Sequence, residues 1–214
     1  MLSRLWLYEK SSNLYYKSYK TKKASDAIIL LHGIGASSAY WPKDYSSISK
    51  SKSVYLVDLL GFGYSKKPKG EYTLESHVSA LRKFISEEVS EKNIILIGHS
   101  LGAIIALAYA KKYPAHVKKT ILLSLPYYSS EKEARAMIKS SRSFSFMFTD
   151  THMSHFTCML VCNARPFFRA VLPFFVRNLP KEVVKNSLLH THESYFSTLR
   201  NVIFKQNIPL LLQN

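Results

Sequence analysis

Short apolar runs alternate with segments of helical periodicity over the first part of the chain. The runs cover residues 27–31, 53–57, 94–97 and 117–125. Continuous apolar runs of this length are typical of strands that are buried on both faces of a sheet. Because helical segments separate them, we predict an α/β fold with a mostly parallel sheet, flanking helices and right-handed crossovers.

The segments between the runs carry the expected helix signals. Apolar side chains at positions 74, 78, 81, 85 and 89 trace one helix face, and Thr73 is placed to cap its N-terminus. Residues 103–110 are rich in alanine and leucine, and Pro114 predicts the end of that helix. We also predict a helix over residues 37–49 and an N-terminal hairpin from residues 5–8 and 14–19.

The pattern changes after Pro126. Residues 126–205 show no strand signal and carry aromatic-rich helical segments instead. Residues 208–212 are apolar and predict one further strand close to the end of the sequence. We therefore divide the chain into a core over residues 1–125, a helical insertion over 126–205 and the start of a further core strand over 206–214.

The composition adds a strong positive charge. The chain has 30 Lys and Arg against 14 Asp and Glu, which gives a formal net charge of +16 at pH 7. Basic pairs near the predicted strand and helix ends favour a solvated surface or contact with an anionic membrane surface. No zinc-finger spacing or RNA-binding signature is present, so we expect no nucleic-acid partner.

The cysteines, the apolar segments and the N-terminus argue against several further classes of protein. Cys158 and Cys162 are the two cysteines, and their spacing puts both on one helix face, where we expect apolar packing and no metal. Arginines and prolines interrupt the apolar region 158–179, which argues against a membrane span. The N-terminus lacks the apolar region of a signal peptide, so we expect a soluble, cytoplasmic protein.

Six of the seven glycines follow three of the predicted strands: Gly33, Gly35, Gly61, Gly63, Gly98 and Gly102. Glycine is used where the backbone turns sharply or approaches another group closely. The carboxyl ends of parallel strands meet at one edge, where open α/β folds place their sites. The sequence therefore predicts a functional site at this edge of the sheet.

A turn at this edge supplies a candidate nucleophile, Ser100. Gly98-His99-Ser100-Leu101-Gly102 stands between a predicted strand and a predicted helix. That order is a nucleophile elbow, which lifts a serine hydroxyl above the end of a buried sheet. The elbow also brings the Leu101 N–H beside the hydroxyl, so Leu101 is a candidate oxyanion-hole donor.

The three glycine motifs occur in the order and spacing seen in the α/β-hydrolase superfamily. They are His32-Gly33-Ile34-Gly35, Asp58-x-x-Gly61-x-Gly63-x-Ser65 and the Ser100 motif. The chain resembles the serine-nucleophile, helical-cap branch of that superfamily, specifically over residues 27–125. The resemblance implies a helical cap over residues 126–205 and the Ile34 N–H as the second oxyanion-hole donor. A serine nucleophile is unlike the aspartate of the haloalkane dehalogenase and epoxide hydrolase branches.

Four further residues are candidates for substrate contact: Gly33, Gly35, His99 and Trp41. His99 is adjacent to Ser100 on a sharp turn and points away from it, so we expect His99 to pack beneath the site. Trp41 is expected on the buried side of its segment, as core or pocket wall. The resemblance implies that His32 orders the oxyanion loop, and we expect Asp58 to tie the turn after its strand.

The acid and the histidine base of the family are not found at their usual positions. In the family they follow the strand after the cap and the last strand, whereas only Gln213 and Asn214 follow residues 208–212 here. We therefore predict a C-terminally truncated chain without the last strand and helix, with weak or no turnover. Residues 208–212 would then form an exposed strand edge that favours self-association.

These observations predict a serine hydrolase that acts on an ester, thioester or related small acyl substrate without a cofactor. A non-catalytic ligand-binding or scaffold protein with the same fold is the alternative. A carbon–carbon bond hydrolase is a further alternative, because such enzymes share the motifs of the first part of the chain. Peripheral contact with an anionic membrane is a further alternative, because the chain is basic and its insertion is rich in phenylalanine.

Overall fold

A single sheet organises the protein. The computed structural model describes residues 13–22, 24–140 and 149–212. Within these ranges the strands are β1 (Tyr16–Tyr19), β2 (Asp26–Leu31), β3 (Lys52–Val57), β4 (Asn93–His99) and β5 (Val117–Leu123). They lie in the order β1-β3-β2-β4-β5; β1 is antiparallel to β3 and the other pairs are parallel. The predicted mostly parallel α/β sheet is confirmed.

The register of the central strands brings the glycine loops to one edge. Leu31 of β2 lies beside Val57 of β3 on one side and beside Gly98 of β4 on the other. The carboxyl ends of these strands are therefore level. The loops that carry the three glycine motifs begin next to one another, as the sequence predicted.

Helices follow the strands. They are α1 (Leu74–Glu88), α2 (Leu101–Lys112), α3 (Glu131–Ser140), α4 (His152–Asn163), α5 (Arg165–Phe175), α6 (Lys181–Ser187), α7 (His192–Thr198), a π-helical turn (Leu199–Phe204) and α8 (Ile208–Leu212). The Thr73 side chain accepts a hydrogen bond from the Ser76 N–H, which confirms the predicted cap of α1.

The central strands β2 and β3 are buried on both faces of the sheet. Alternate residues of β2 point to opposite sides: Ile29 and Leu31 join the main core, and Leu30 joins a smaller core with Val54 and Leu56. This two-sided burial explains why these strands appear in the sequence as continuous apolar runs instead of alternating patterns. No residue of the edge strand β5 is fully buried, so the two-sided burial predicted for residues 117–125 is wrong.

The helix predicted over residues 37–49 is wrong. Only two short 3₁₀ turns form there, at Ser38–Tyr40 and Ile48–Lys50. Pro42 excludes the helical conformation at the residue before it, and Trp41 is accordingly extended, with φ −80° and ψ 153°. Trp41 is nevertheless buried, in the smaller core.

The predicted N-terminal hairpin is only partly within the described residues. Its second half corresponds to β1, which pairs with β3. Residues 5–8, its first half, lie outside the described residues.

The strand predicted at the start of segment 206–214 is also wrong, because residues 208–212 form helix α8. Asn207 Oδ1 accepts the Leu210 N–H at 3.0 Å, and Pro209 stands in the first turn, where a missing N–H costs nothing. Ile208 is fully buried and α8 packs on α2. These residues therefore offer no strand edge for the predicted self-association. The strand at this edge of the sheet, next to β4, is β5.

The helices after β5 include apolar segments. No single helix among the described residues is long and apolar enough to cross a bilayer. Helices α4 and α5 are long and apolar enough to cross a bilayer only when their lengths are taken together, and a bend of 105° separates them. Several large apolar side chains of this pair face solvent: Met153, Phe156, Met159, Leu160, Phe167, Phe174 and Phe175.

Candidate active site

Ser100 stands at the turn between β4 and α2. Its backbone has φ 53° and ψ −114°, a left-handed conformation that costs a non-glycine residue about 1–3 kcal/mol. The flanking glycines make the turn sterically feasible. A Cβ atom at Gly98 would lie 2.2 Å from the Gly102 carbonyl oxygen, and a Cβ atom at Gly102 would lie 2.3 Å from that of Leu31. The strand, turn and helix of a nucleophile elbow are therefore present.

Backbone hydrogen bonds hold this turn in place. The Ser100 N–H donates to the Leu123 carbonyl of β5 at 2.9 Å, and the Ser100 carbonyl accepts from Ala103 at 2.9 Å and Ile104 at 3.2 Å. The Leu101 N–H lies in the first turn of α2, where N–H groups have no acceptor within the helix. It is therefore available to a ligand beside the Ser100 hydroxyl.

The loop after β2 approaches the Ser100 side chain closely. A Cβ atom at Gly33 would lie 3.4 Å from Ser100 Cβ, which is van der Waals contact. The Ala36 N–H donates to the Gly33 carbonyl at 3.2 Å, and Gly35 has φ +67°. The hydrogen bond of this turn does not use the Ile34 N–H. The predicted second oxyanion donor is thus on a turn next to the predicted nucleophile.

His32 orders the loop as the sequence predicted. Its Nε2 accepts the Leu59 N–H at 2.9 Å and its Nδ1 lies 2.8 Å from the Gly33 carbonyl. This pairing assigns the neutral tautomer with the proton on Nδ1. Burial lowers the pKa of His32, which favours the same neutral form.

Asp58 ties the neighbouring loops together, also as predicted. Its carboxylate accepts the Ser38 N–H at 2.5 Å and the Tyr64 N–H at 2.8 Å, and its carbonyl accepts the Ser65 hydroxyl at 2.5 Å. A Cβ atom at Gly63 would lie 2.0 Å from the carboxylate, so glycine is required there. Asp58 is therefore a structural residue of the sheet edge.

His99 and Trp41 lie around the loop and not on the Ser100 hydroxyl. His99 stacks on Tyr40 with ring centroids 4.8 Å apart, and its Nδ1 would be 3.1 Å from a Cβ at Gly33. Burial lowers the pKa of His99 and so favours its neutral form. Trp41 belongs to the smaller core, which makes it core rather than a demonstrated substrate contact. The stacking residue Tyr40 was missed, since no motif marks it.

Helix α7 packs over this edge of the sheet. The Ser194 hydroxyl donates to the Gly61 carbonyl at 2.8 Å, and the Tyr72 N–H donates to the Ser197 hydroxyl at 2.8 Å. The Tyr195 ring would be 3.4 Å from a Cβ at Gly35. Tyr195 is therefore a residue at the predicted oxyanion loop that the sequence did not reveal.

The histidines do not provide a base for Ser100 through a direct hydrogen bond. All eight histidines of the chain lie in the described residues, and none is hydrogen-bonded to Ser100. His155 instead bonds to Asp150 and to His192, at 2.7 Å each. The hydrogen-bonded Arg200 guanidinium holds the pKa of Asp150 below its usual range. These groups form a separate cluster in the helical insertion.

A pH-dependent stability follows from His77, which joins α1 to α7. The ring is 2% exposed, its Nε2 lies 3.2 Å from the Thr198 hydroxyl, and burial lowers its pKa to about 3. The unfolded chain therefore binds the proton first, so stability is retained above pH 6.5 and lost as the pH falls below it. For His77 alone we expect a loss of about 2 kcal/mol between pH 7.5 and pH 5.

Urea unfolding of the wild-type chain and of His77→Gln at both pH values measures this contribution. The variant is expected to lose less stability on acidification, by about the same 2 kcal/mol. Equal losses in the two proteins would contradict the assignment. Burial of His32 acts in the same direction in both and cancels in the comparison.

Comparison with known proteins identifies a matching family and several relatives. Residues 26–155 match the family model of the alpha/beta hydrolase fold. "Probable lysophospholipase BODYGUARD 1" of Arabidopsis thaliana is 29% identical over 221 residues, which is 93% of this chain and 47% of that protein. "Probable lysophospholipase BODYGUARD 3" of the same plant is 29% identical over 218 residues, or 91% and 44%. The chain spans about half the length of the curated relatives it matches.

The fold is also found among solved structures. That of E-2-(acetamidomethylene)succinate hydrolase matches with a TM-score of 0.64 at 19% identity, covering 92% of this chain and 71% of the other. At this identity the likeness shows the fold alone. Since the family model covers more than half of the sequence and includes the Ser100 elbow, the chain belongs to the α/β-hydrolase family.

Proposed function

We propose that this chain carries the nucleophile and the oxyanion hole of a serine hydrolase that acts on acyl esters or thioesters. The observation that supports this most strongly is the conformation of Ser100. A serine held at φ 53° between a buried strand and a helix, in contact with a glycine loop, costs stability, and such strained residues cluster at active sites.

The proposed chemistry is acyl transfer through Ser100. Its Oγ attacks the acyl carbon while the hydroxyl proton passes to a solvent water molecule, and the carbonyl oxygen becomes an oxyanion. The Leu101 and Ile34 N–H groups donate to this oxyanion, and each such donor contributes about 3–4 kcal/mol in related sites. The intermediate collapses with departure of the alcohol or thiol, and water then hydrolyses the acyl-enzyme.

For the substrate class we propose a monoacyl lipid ester. The names of the Arabidopsis relatives describe probable lysophospholipases. The solvent-facing phenylalanines of α4 and α5 offer apolar contact to a lipid surface, and the net charge of +16 favours an anionic one. Peripheral membrane contact would bring such a substrate to the protein.

Vesicle sedimentation tests the proposed membrane contact. We expect the chain to sediment with vesicles that contain anionic lipid and to bind zwitterionic vesicles about tenfold less, because both charge and apolar insertion contribute. Phe167→Ser combined with Phe175→Ser is expected to weaken binding. Tyr127→Ser is the matched control, since Tyr127 is an exposed aromatic outside α4 and α5. No sedimentation with either vesicle type would contradict the contact, and equal binding to both types would contradict the contribution of charge.

Reaction with an activated ester tests the acyl transfer. Nitrophenolate is a good leaving group that departs without a proton, whereas release of the acyl group requires a base that activates water, and no histidine is hydrogen-bonded to Ser100. We therefore expect p-nitrophenyl butyrate to acylate the chain faster than water releases the acyl group. The progress curve should show a burst of about one nitrophenol per chain, followed by slow turnover. Sustained fast turnover would show that a base reaches Ser100 in solution.

A non-catalytic ligand-binding protein is the second candidate function. The lack of a hydrogen-bonded base at Ser100 favours it. It predicts no burst, together with retained binding of a non-hydrolysable acyl ether. The burst experiment therefore separates the two candidates.

A further inference from the structure

A second cluster of chemically reactive side chains lies in the helical insertion, apart from Ser100. Cys158 and Cys162 are on one face of α4, and His190 is in the connection between α6 and α7. Their ligand atoms all lie within 4.8 Å of one another. Cys158 and His190 are buried and Cys162 is half-buried. Both thiols are free.

Two of the three separations between the ligand atoms are close to those of a tetrahedral metal site, and the third is no more than 4.8 Å. The two Sγ atoms are 3.7 Å apart, and Cys158 Sγ is 3.8 Å from His190 Nε2. Zinc bonds of about 2.3 Å to sulfur and about 2.0 Å to nitrogen, at tetrahedral angles, place two sulfurs about 3.8 Å apart and sulfur and nitrogen about 3.5 Å apart. Small side-chain shifts would therefore admit the ion.

The histidine is already oriented as a ligand. Its Nδ1 lies 2.8 Å from the Ser187 carbonyl, which assigns the proton to Nδ1 and leaves the Nε2 lone pair directed towards Cys158. A backbone acceptor on the distal nitrogen is the usual outer partner of a metal-binding histidine. The Arg165 guanidinium donates to the His190 carbonyl at 2.6 Å and fixes the same segment.

Thiolate is the form of cysteine that binds metal, so metal binding would release the thiol protons of Cys158 and Cys162.

We propose that Cys158, Cys162 and His190 bind one zinc ion or a similar thiolate-preferring divalent metal, with the fourth coordination position left to water or an added ligand. The ion would join α4 to the segment before α7. The His190 ring lies 5.0 Å from that of Tyr195, which packs on Gly35 of the oxyanion loop. Metal binding would therefore stabilise the helix that covers the Ser100 edge.

Cobalt titration of the full chain tests this site. The protein is kept reduced with a phosphine and titrated with Co²⁺. We expect saturation at one ion per chain, with the near-ultraviolet band of thiolate-to-cobalt charge transfer, and loss of that band when Zn²⁺ is added. Zn²⁺ should also protect both thiols from alkylation. Absence of the band, or alkylation that is unaffected by Zn²⁺, would overturn the proposal without any variant.

Variants locate the ligands. Cys162→Ser and His190→Asn are each expected to weaken Co²⁺ binding about tenfold or more and to diminish or shift the band. His116→Asn is the matched control, because His116 is exposed and lies in the turn before β5. Equal weakening in the control, or unchanged binding in Cys162→Ser, would assign the metal to other residues and contradict the site.

Discussion

Replacing Ser100 with alanine is expected to abolish covalent labelling of the chain by a fluorophosphonate, with a rate reduced at least about 1,000-fold. The reagent forms a bond to the attacking oxygen, and its phosphoryl oxygen takes the place of the oxyanion. In the proposed function Ser100 is the nucleophile at the elbow, and the Leu101 and Ile34 N–H groups would stabilise that oxygen. Gel fluorescence and intact mass measure the labelling.

The chain contains a matched control in Ser124. It also has a positive φ, 48°, follows the adjacent strand β5 and is exposed at the same edge of the sheet. Unlike Ser100 it does not begin a helix. Ser124→Ala is therefore expected to label like the wild-type chain. Labelling that survives in Ser100→Ala but disappears in Ser124→Ala would contradict the assignment.

Loss of labelling in Ser100→Ala should not result from unfolding. The Ser100 side chain makes no capping hydrogen bond to α2, and the backbone bonds that hold the turn do not depend on the hydroxyl. We expect circular dichroism and thermal unfolding to be nearly unchanged in this variant.

Gly102→Ala is expected to destabilise the fold by about 3 kcal/mol or more. The added methyl group would lie 2.3 Å from the Leu31 carbonyl oxygen and 2.8 Å from that of His32. Both contacts are with backbone, so no side chain can move aside. Helix α2 must instead shift away from β2 and open the main core. Equilibrium unfolding in urea measures the loss, which is a large part of the 5–15 kcal/mol typical of a domain.

Gly70→Ala separates this steric cost from backbone strain. Gly70 has φ +125° and its added Cβ would meet nothing within 4 Å. We expect only the conformational cost of about 1–3 kcal/mol there. A destabilisation by Gly102→Ala that is smaller than that of Gly70→Ala would show that α2 and β2 are not packed as closely as described.

Much of the sheet could be predicted from the sequence because its central strands are buried on both faces. The run of residues 94–97 is apolar without interruption, and the helical patterns of residues 74–89 and 103–110 on either side of it favour a strand. Residues 208–212 gave no such distinction, because a short apolar run suits a strand or a buried helix equally. In the structure these residues form a helix whose Ile208 is buried in the main core and which packs on α2. Such a contact between distant segments cannot be read from a local pattern.

The predicted site shows the same limit. The closeness of Gly33 to Ser100 follows from the level strand ends, so the glycine motifs were enough to predict it. Tyr195 reaches the oxyanion loop only because α7 packs over the edge, and His190 reaches the two cysteines only because the insertion folds back on itself. Contacts between distant helical segments leave no periodic signal in a single sequence.

The role of Ser100 is tested most directly by peptide mass spectrometry after reaction with p-nitrophenyl butyrate. We predict one butyryl group per chain, on the peptide that contains Ser100, and its release by hydroxylamine because it is held as an ester. Butyryl groups spread over lysines, which hydroxylamine would not release, or no butyryl group at all, would contradict the assignment.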